Sequence, residues 1–157
     1  MERVPMTAAG YDRLQEELKV LKTVERPAII KAIAEAREHG DLSENAEYHS
    51  ARERQSFIEG RVLEIEDTIS RAEVIDVSKL SGTTVKFGAT VTLADEDTDE
   101  EVTYQIVGPF ESDVRQGRLS ISSPLARSLI SKSVGDQVEV TTPNGSKSYE
   151  VVGVKYL

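Results

Sequence analysis

The segment HGDLSENAEY, residues 39–48, holds the side chains of this chain best placed to do chemistry. Asp41 and Glu44 stand three positions apart, just after Gly40. Carboxylate oxygens are ligands for hard cations, but they also cap helices. Asp41 is a favoured N-cap residue and Glu44 falls at N3, which together make the acidic form of a capping box. Negative charge in a first turn also suits the helix dipole. Local sequence therefore favours a cap, and only the rest of the chain can raise a chemical reading above it. His39 and His49 flank the segment and are the only two histidines. No nucleophile–His–acid arrangement accompanies them, and both read first as polar surface residues.

The elements that would carry this segment follow from composition. The 157 residues suffice for one ordinary domain or two small ones. A hydrophobic share of 38% is low but compatible with folding, and it favours an elongated part beside a compact one. The formal charge is −9, of which residues 1–76 carry −6 and residues 77–157 carry −3. Such a chain does not bind duplex nucleic acid through its overall field, because phosphate binding needs a basic footprint. The absence of cysteine excludes disulfides, cysteine-ligated zinc and thiol chemistry. The start, MERVPMTAAGYDRL, has no apolar signal core, and no stretch approaches the length of a membrane span. A soluble, cytoplasmic protein with no membrane contact is expected, and its acidic charge suits a monomer.

Residues 7–76 read as helix almost throughout, with Thr7 able to cap the first. Leu14, Leu18 and Leu21 follow at spacings of four and three, as a coiled-coil seam requires. Ala28, Ile29, Ala32, Ile33 and Ala36 continue an apolar face, and Pro27 predicts a kink or local break near Glu25–Arg26. A second helix is expected from about Leu42 to Val74, with a seam of Ile58, Val62, Ile65, Ile69 and Ala72. Traced back toward the turn, that seam becomes Gln55, Ala51, Tyr48 and Glu44. The large aliphatics vanish there, so the hairpin is anchored at one end and wet at the other. Each arm has about 32 residues and would span roughly 48 Å.

From about Asp76 the period changes to two. Strands are expected around Thr84–Phe87, Ala89–Ala94 and Glu101–Val107, with Asp95–Glu100 as a solvated loop. Arg118–Ser122 reads as a short strand. Pro124 sits at the first position of a short helix capped by Ser123. Val138–Thr141 and Ser148–Tyr156 form a last hairpin across PNGS. The fold class is α+β: a long N-terminal antiparallel α-helical hairpin (residues 1–76) and a small antiparallel β-sheet domain with one short helix (residues 77–157), with Ser81–Gly82 as the expected hinge.

The stretches IAEAREHGDLSENAEYHSARERQ and IEGRVLEIEDTISRAEVID resemble the bacterial Gre transcript-cleavage factors. The resemblance covers the whole chain, with FGATVTL, EEVTYQIVG, ISSPLARSLI and EVVGVKYL in the C-terminal half. A lone D-x-x-E carries no signal. This long motif at the tip of a helical hairpin, joined to the matching sheet domain, is specific.

The resemblance implies that the C-terminal domain is FKBP-like and docks on RNA polymerase at the mouth of its secondary channel. It implies that the hairpin enters the channel and meets the nascent RNA 3′ end of a backtracked complex. The factor is then not itself an enzyme; it stimulates the polymerase's own hydrolysis of the transcript. Two-metal phosphodiester hydrolysis needs one ion to activate water and another to hold the leaving oxygen. By resemblance, Asp41 and Glu44 hold the second Mg²⁺ jointly with the polymerase and bind none tightly alone. Two carboxylates cannot cage Mg²⁺, which takes octahedral oxygen ligands, but they can complete a site offered by a partner.

Other positions carry over residue by residue. Asn45 and Tyr48 match tip residues that support the carboxylates, against which stand first-turn polarity and seam packing. Arg37 and Arg52 match a basic patch touching RNA, against which stand ion pairs at helical spacing. Ser123, Pro124, Ala126 and Arg127 match the polymerase-docking segment, against which stand a cap and a packed helix face. Within the family, the tip resembles the subtype with the smaller basic patch, which implies shorter cleavage products. Rival readings are a Gre-like channel inhibitor, a peptidyl-prolyl isomerase suggested by the C-terminal fold, and a coiled-coil holdase. The isomerase lacks an aromatic-lined pocket, and the holdase would need an apolar tip.

Overall fold

In a computed structural model, residues 2–41 and 44–157 are described. They divide into two compact units: Tyr11–Arg71, and Glu2–Gly10 with Ala72–Leu157.

The first unit is an antiparallel helical hairpin. Its first arm comprises α1 (Ala8–Val20), a π-helical turn (Leu21–Glu25) and α2 (Arg26–Arg37). Its second arm is α3 (Ala46–Ser70). The expected start at Leu42 and the neighbouring Ser43 lie outside the described residues. Leu14, Leu21, Ile33 and Ala36 are buried in the first arm, facing Ala51, Ile58, Val62 and Ile65 in the second. Ala28 and Ala32, expected on the apolar face, are exposed. The break expected before Pro27 is instead the π-helical turn, in which the Arg26 N–H donates to the Leu21 carbonyl five residues back. Proline cannot donate to the helix ladder and crowds the carbonyl four residues earlier, and the wider turn accommodates it without ending the arm.

Polar groups link the arms. Arg26 holds Glu59 through two 2.8 Å hydrogen bonds, and Arg61 grips Glu17 through its Nε and Nη2. Lys22 meets Glu66 at 3.1 Å, and Arg54 meets Glu25 at 3.6 Å. The hydrogen bond from Arg61 holds the Glu17 carboxyl below its ordinary range, with burial opposing and the guanidinium charge assisting. Arg26 does the same for Glu59.

The second helix does not reach Val74 as expected. It ends at Ser70, and Ala72–Ile75 forms strand β2, paired in parallel with β1 (Val4–Thr7). The β-branched Val74 and Ile75 suit a strand once a partner is present, and the partner lies some 70 residues earlier. Thr7 caps α1, accepting from Gly10 N at 3.0 Å. Glu111 is buried (8% exposed) and accepts from Thr7 N, Thr7 Oγ1 and Gly108 N.

The rest of the second unit is a five-stranded sheet in the order β5-β4-β3-β7-β6. The strands are β3 (Thr90–Asp95), β4 (Glu101–Val107), β5 (Arg118–Ser120), β6 (Gln137–Thr142) and β7 (Gly145–Lys155). β3 pairs antiparallel with β4 and β7, and β6 antiparallel with β7. β5 is an exception to the expected antiparallel sheet, since it joins β4 in parallel. Thr84–Phe87 is no strand, and only Thr84 forms an isolated bridge, to Ser133. Helix α4 (Pro124–Leu129) lays Ala126 and Leu129 on a core of Val85, Val91, Leu93, Ile106 and Val151. Tyr156 donates to the Thr84 carbonyl at 2.6 Å and secures the C-terminal segment.

Candidate functional site

The turn between α2 and α3 is built by backbone geometry first. α2 closes with His39 N donating to Ala36 O at 3.2 Å, and Gly40 follows at φ +106°. That left-handed conformation favours glycine and ends the helix. α3 then starts at Asn45, in extended conformation, whose Oδ1 accepts from Tyr48 N at 3.0 Å. Asn45 is therefore the N-cap, where sequence had placed Asp41. Its Nδ2 also donates to the Ala36 carbonyl at 2.7 Å. One side chain thus caps the second arm and fastens it to the end of the first. The sequence carried no means of choosing among Asp41, Ser43 and Asn45, all good caps, because the deciding partner is nine positions back.

Asp41 and Glu44 are exposed, and both line an open pocket of about 470 Å³ with His39, Asn45, Ala46 and Glu47. Among the described residues, no group of three or more His, Cys, Asp or Glu could hold a metal ion. Tyr48 is half-buried on the seam. The Arg37 guanidinium lies over its ring at 5.9 Å, and His49 meets it edge-on at 5.5 Å. Arg37 and Arg52 come together from opposite arms around a second hollow with Ile30, Ile33, Ala34 and Gln55. The ion pairs at helical spacing weighed for them do not form among the described residues, whereas Arg26, Arg54 and Arg61 are all engaged with carboxylates.

In the second unit, Ser123 caps α4 by accepting from Ala126 N at 3.2 Å, and Pro124 occupies the first turn. Pro124 and Arg127 are exposed. Ala126 is 0% exposed and sits in the sheet core, so its side chain seats the helix and offers no surface to a partner. Glu111 was not singled out in the sequence. Its segment, GPFESD, reads as an ordinary polar loop, and only the contact with Thr7 distinguishes it.

The chain matches two family profiles. Residues 4–74 match the N-terminal region of the GreA/GreB transcription elongation factors, and residues 80–156 match their C-terminal region. It is 70% identical to a transcription elongation factor GreA of Methylobacterium sp. (strain 4-46), covering 100% of this chain and 99% of that one. It is 68% identical to the GreA of Caulobacter vibrioides (strain NA1000 / CB15N), covering both chains fully. Among solved structures it is similar to the GreA factor homolog 1 of Thermus thermophilus, at 29% identity and a TM-score of 0.45 over 98% of this chain and 99% of that one. With both halves matched in order and the full-length relatives this similar, the chain belongs to the GreA/GreB family of transcription elongation factors.

Proposed function

We propose that this protein enters the secondary channel of RNA polymerase tip-first and stimulates the polymerase's own Mg²⁺-dependent cleavage of the RNA 3′ end in backtracked complexes. The observation that carries the reading is the exposed pair Asp41 and Glu44, lining one open pocket at the turn of the hairpin while Asn45 serves as the cap. With Asn45 at the N-cap of α3, the side chains of Asp41 and Glu44 are both exposed beside it.

Asp41 and Glu44 offer the hard oxygens that Mg²⁺ prefers, but too few to retain it. The donor set therefore fits an ion shared with the polymerase and not one resident in this protein. When bound there, the ion supplies charge neutralisation at the scissile phosphate and a more acidic water. This chain's own part is to present the two carboxylates at a fixed turn. Asn45 maintains that turn, and Arg37, braced by Tyr48, faces the RNA together with Arg52. The docking surface is formed by Ser123, Pro124 and Arg127, with Ala126 beneath. The protein acts as a cytoplasmic monomer and has no hydrolytic activity by itself.

The test is transcript shortening in a stalled, backtracked complex with RNA labelled at its 5′ end, across Mg²⁺ concentrations. The intact protein should shorten the transcript, and Asp41→Ala plus Glu44→Ala should bind the polymerase without doing so. Equal cleavage by both proteins would overturn the assignment of the carboxylates. If neither cleaves and both block elongation, the protein is a channel inhibitor.

A further inference from the structure

The two arms of the hairpin are weakened at the same level, and four separate features coincide there. The first is the π-helical turn. Leu14 and Ile33, both buried on the seam, are nineteen positions apart. At about 100° per residue, an unbroken α-helix would leave them roughly 100° out of phase. A π-helical turn absorbs one residue, and eighteen steps make about five full turns. The turn therefore holds one residue more than the seam needs. Pro27 stands two positions beyond it, and within the turn Thr23 Oγ1 donates to the Lys19 carbonyl at 2.7 Å, a back-bond that bends helices.

The second feature is a gap in the seam. Between Leu21 and Ile33, residues 22–32 include no buried side chain. The third is Gly60, inside α3 next to Glu59, the partner of Arg26. It is exposed, and a Cβ added there would meet nothing within 4 Å. No packing requires a glycine here, and glycine weakens a helix interior. The fourth is the way the arms hold together at this height. Part-exposed ion pairs of Lys22, Glu25 and Arg26 join them, and Leu21 is the one buried side chain that residues 21–32 of the first arm set beside the buried Ile58 and Val62 of α3.

We infer that residues 21–27 and Gly60 form a flexural joint, about which the turn-bearing half of the hairpin bends against its base half. Apolar packing resumes on either side, with Ile33, Ala36, Ala51 and Ile58 toward the turn and Leu14, Val62 and Ile65 toward the base. The turn half therefore moves as a body and does not fray. Ion pairs across the joint can break and re-form during bending. This goes beyond the cleavage reading and does not depend on it, because the motion belongs to the hairpin alone.

Native-state hydrogen–deuterium exchange of the full chain, resolved by peptide, tests the joint. Amides of 22–26 and 58–61 should exchange at least about tenfold faster than those of 33–36 and 51–57, although the latter lie nearer the turn. Gly60→Ala has space for its methyl and should slow exchange at 58–61 about fivefold, the amount by which alanine favours a helix over glycine. Because the arms bend together, it should also slow 22–26. A second variant, deletion of Val24, should keep native helicity, since an unbroken α-helix one residue shorter leaves the seam in phase, and should abolish the fast exchange in the first arm.

Protection that falls steadily from base to turn would overturn the joint. So would slowing confined to α3 in Gly60→Ala, or loss of helicity in the deletion. No polymerase enters the experiment, so its failure would leave the cleavage proposal standing.

Discussion

Asn45 and Glu111 each hold together segments that are distant in sequence, and each does so with more than one hydrogen bond. Asn45 caps α3 with its oxygen and fastens the Ala36 carbonyl with its nitrogen. Asn45→Ala should loosen the turn by about 1 kcal/mol, the usual cost of a lost N-cap. Asn45→Asp keeps the acceptor and loses the donor, so it should protect the Tyr48 amide in hydrogen exchange but not restore full transcript cleavage. Equal cleavage by Asn45→Asp and the parent would show that the Ala36 link is dispensable. Glu111 satisfies three donors in a buried place, and removing a buried acceptor leaves those donors unpaired. Glu111→Ala should cost about 3 kcal/mol in urea denaturation. Gly10 lies so close that an added Cβ would stand 2.4 Å from Glu111 Oε1. Gly10→Ala should therefore destabilise the parent protein, and do so much less in the Glu111→Ala background, because neighbouring sites are not additive.

At the scale of elements, the hairpin joins a thin apolar seam to a ladder of ion pairs, and this gives it a pH dependence. Arg61 and Arg26 hold the folded carboxyls of Glu17 and Glu59 below their ordinary range, which is about 4.3 in an unfolded chain. A depressed folded value means stability that is present above the unfolded pKa and lost as pH falls through the folded one. The helical signal at 222 nm should thus melt at progressively lower temperature as the pH drops below about 4. Glu17→Gln should flatten part of that dependence. Each pair is part-exposed, so added salt should weaken the same contribution. The heptad-like spacing of Leu14, Leu21, Ile58, Val62 and Ile65 made the arms readable from sequence. The π-helical turn was not readable, because Pro27 announces a disturbance without stating its form. Whether the arm kinks, breaks or widens depends on which solution keeps Ile33 facing Ala51 and Ile58.

Across the whole molecule, two units with different cores imply two unfolding events. The sheet unit buries Val85, Val91, Leu93, Ile106 and Val151 completely, whereas the hairpin buries a single stripe. Urea should melt the far-UV helical signal before the near-UV signal of Tyr104, Tyr149 and Tyr156, which pack on the sheet core. Leu93→Ala should lower the second event by about 3 kcal/mol and leave the first in place. A single coincident transition in both signals would contradict this. The long arms, the strand at Glu101–Val107 and the cap at Ser123 were legible along the chain. These depend on periodicity, turn residues and propensity, which act over a few neighbouring positions. Long-range contacts set the rest: Val4–Thr7 pairs with Ala72–Ile75, β5 runs parallel to β4, Asn45 caps α3, and Ala126 is core and not surface. In each of these the deciding energy is a hydrogen bond or an apolar contact with a residue far along the chain. No local pattern encodes such a partner, because it comes within reach only when the rest of the fold has formed.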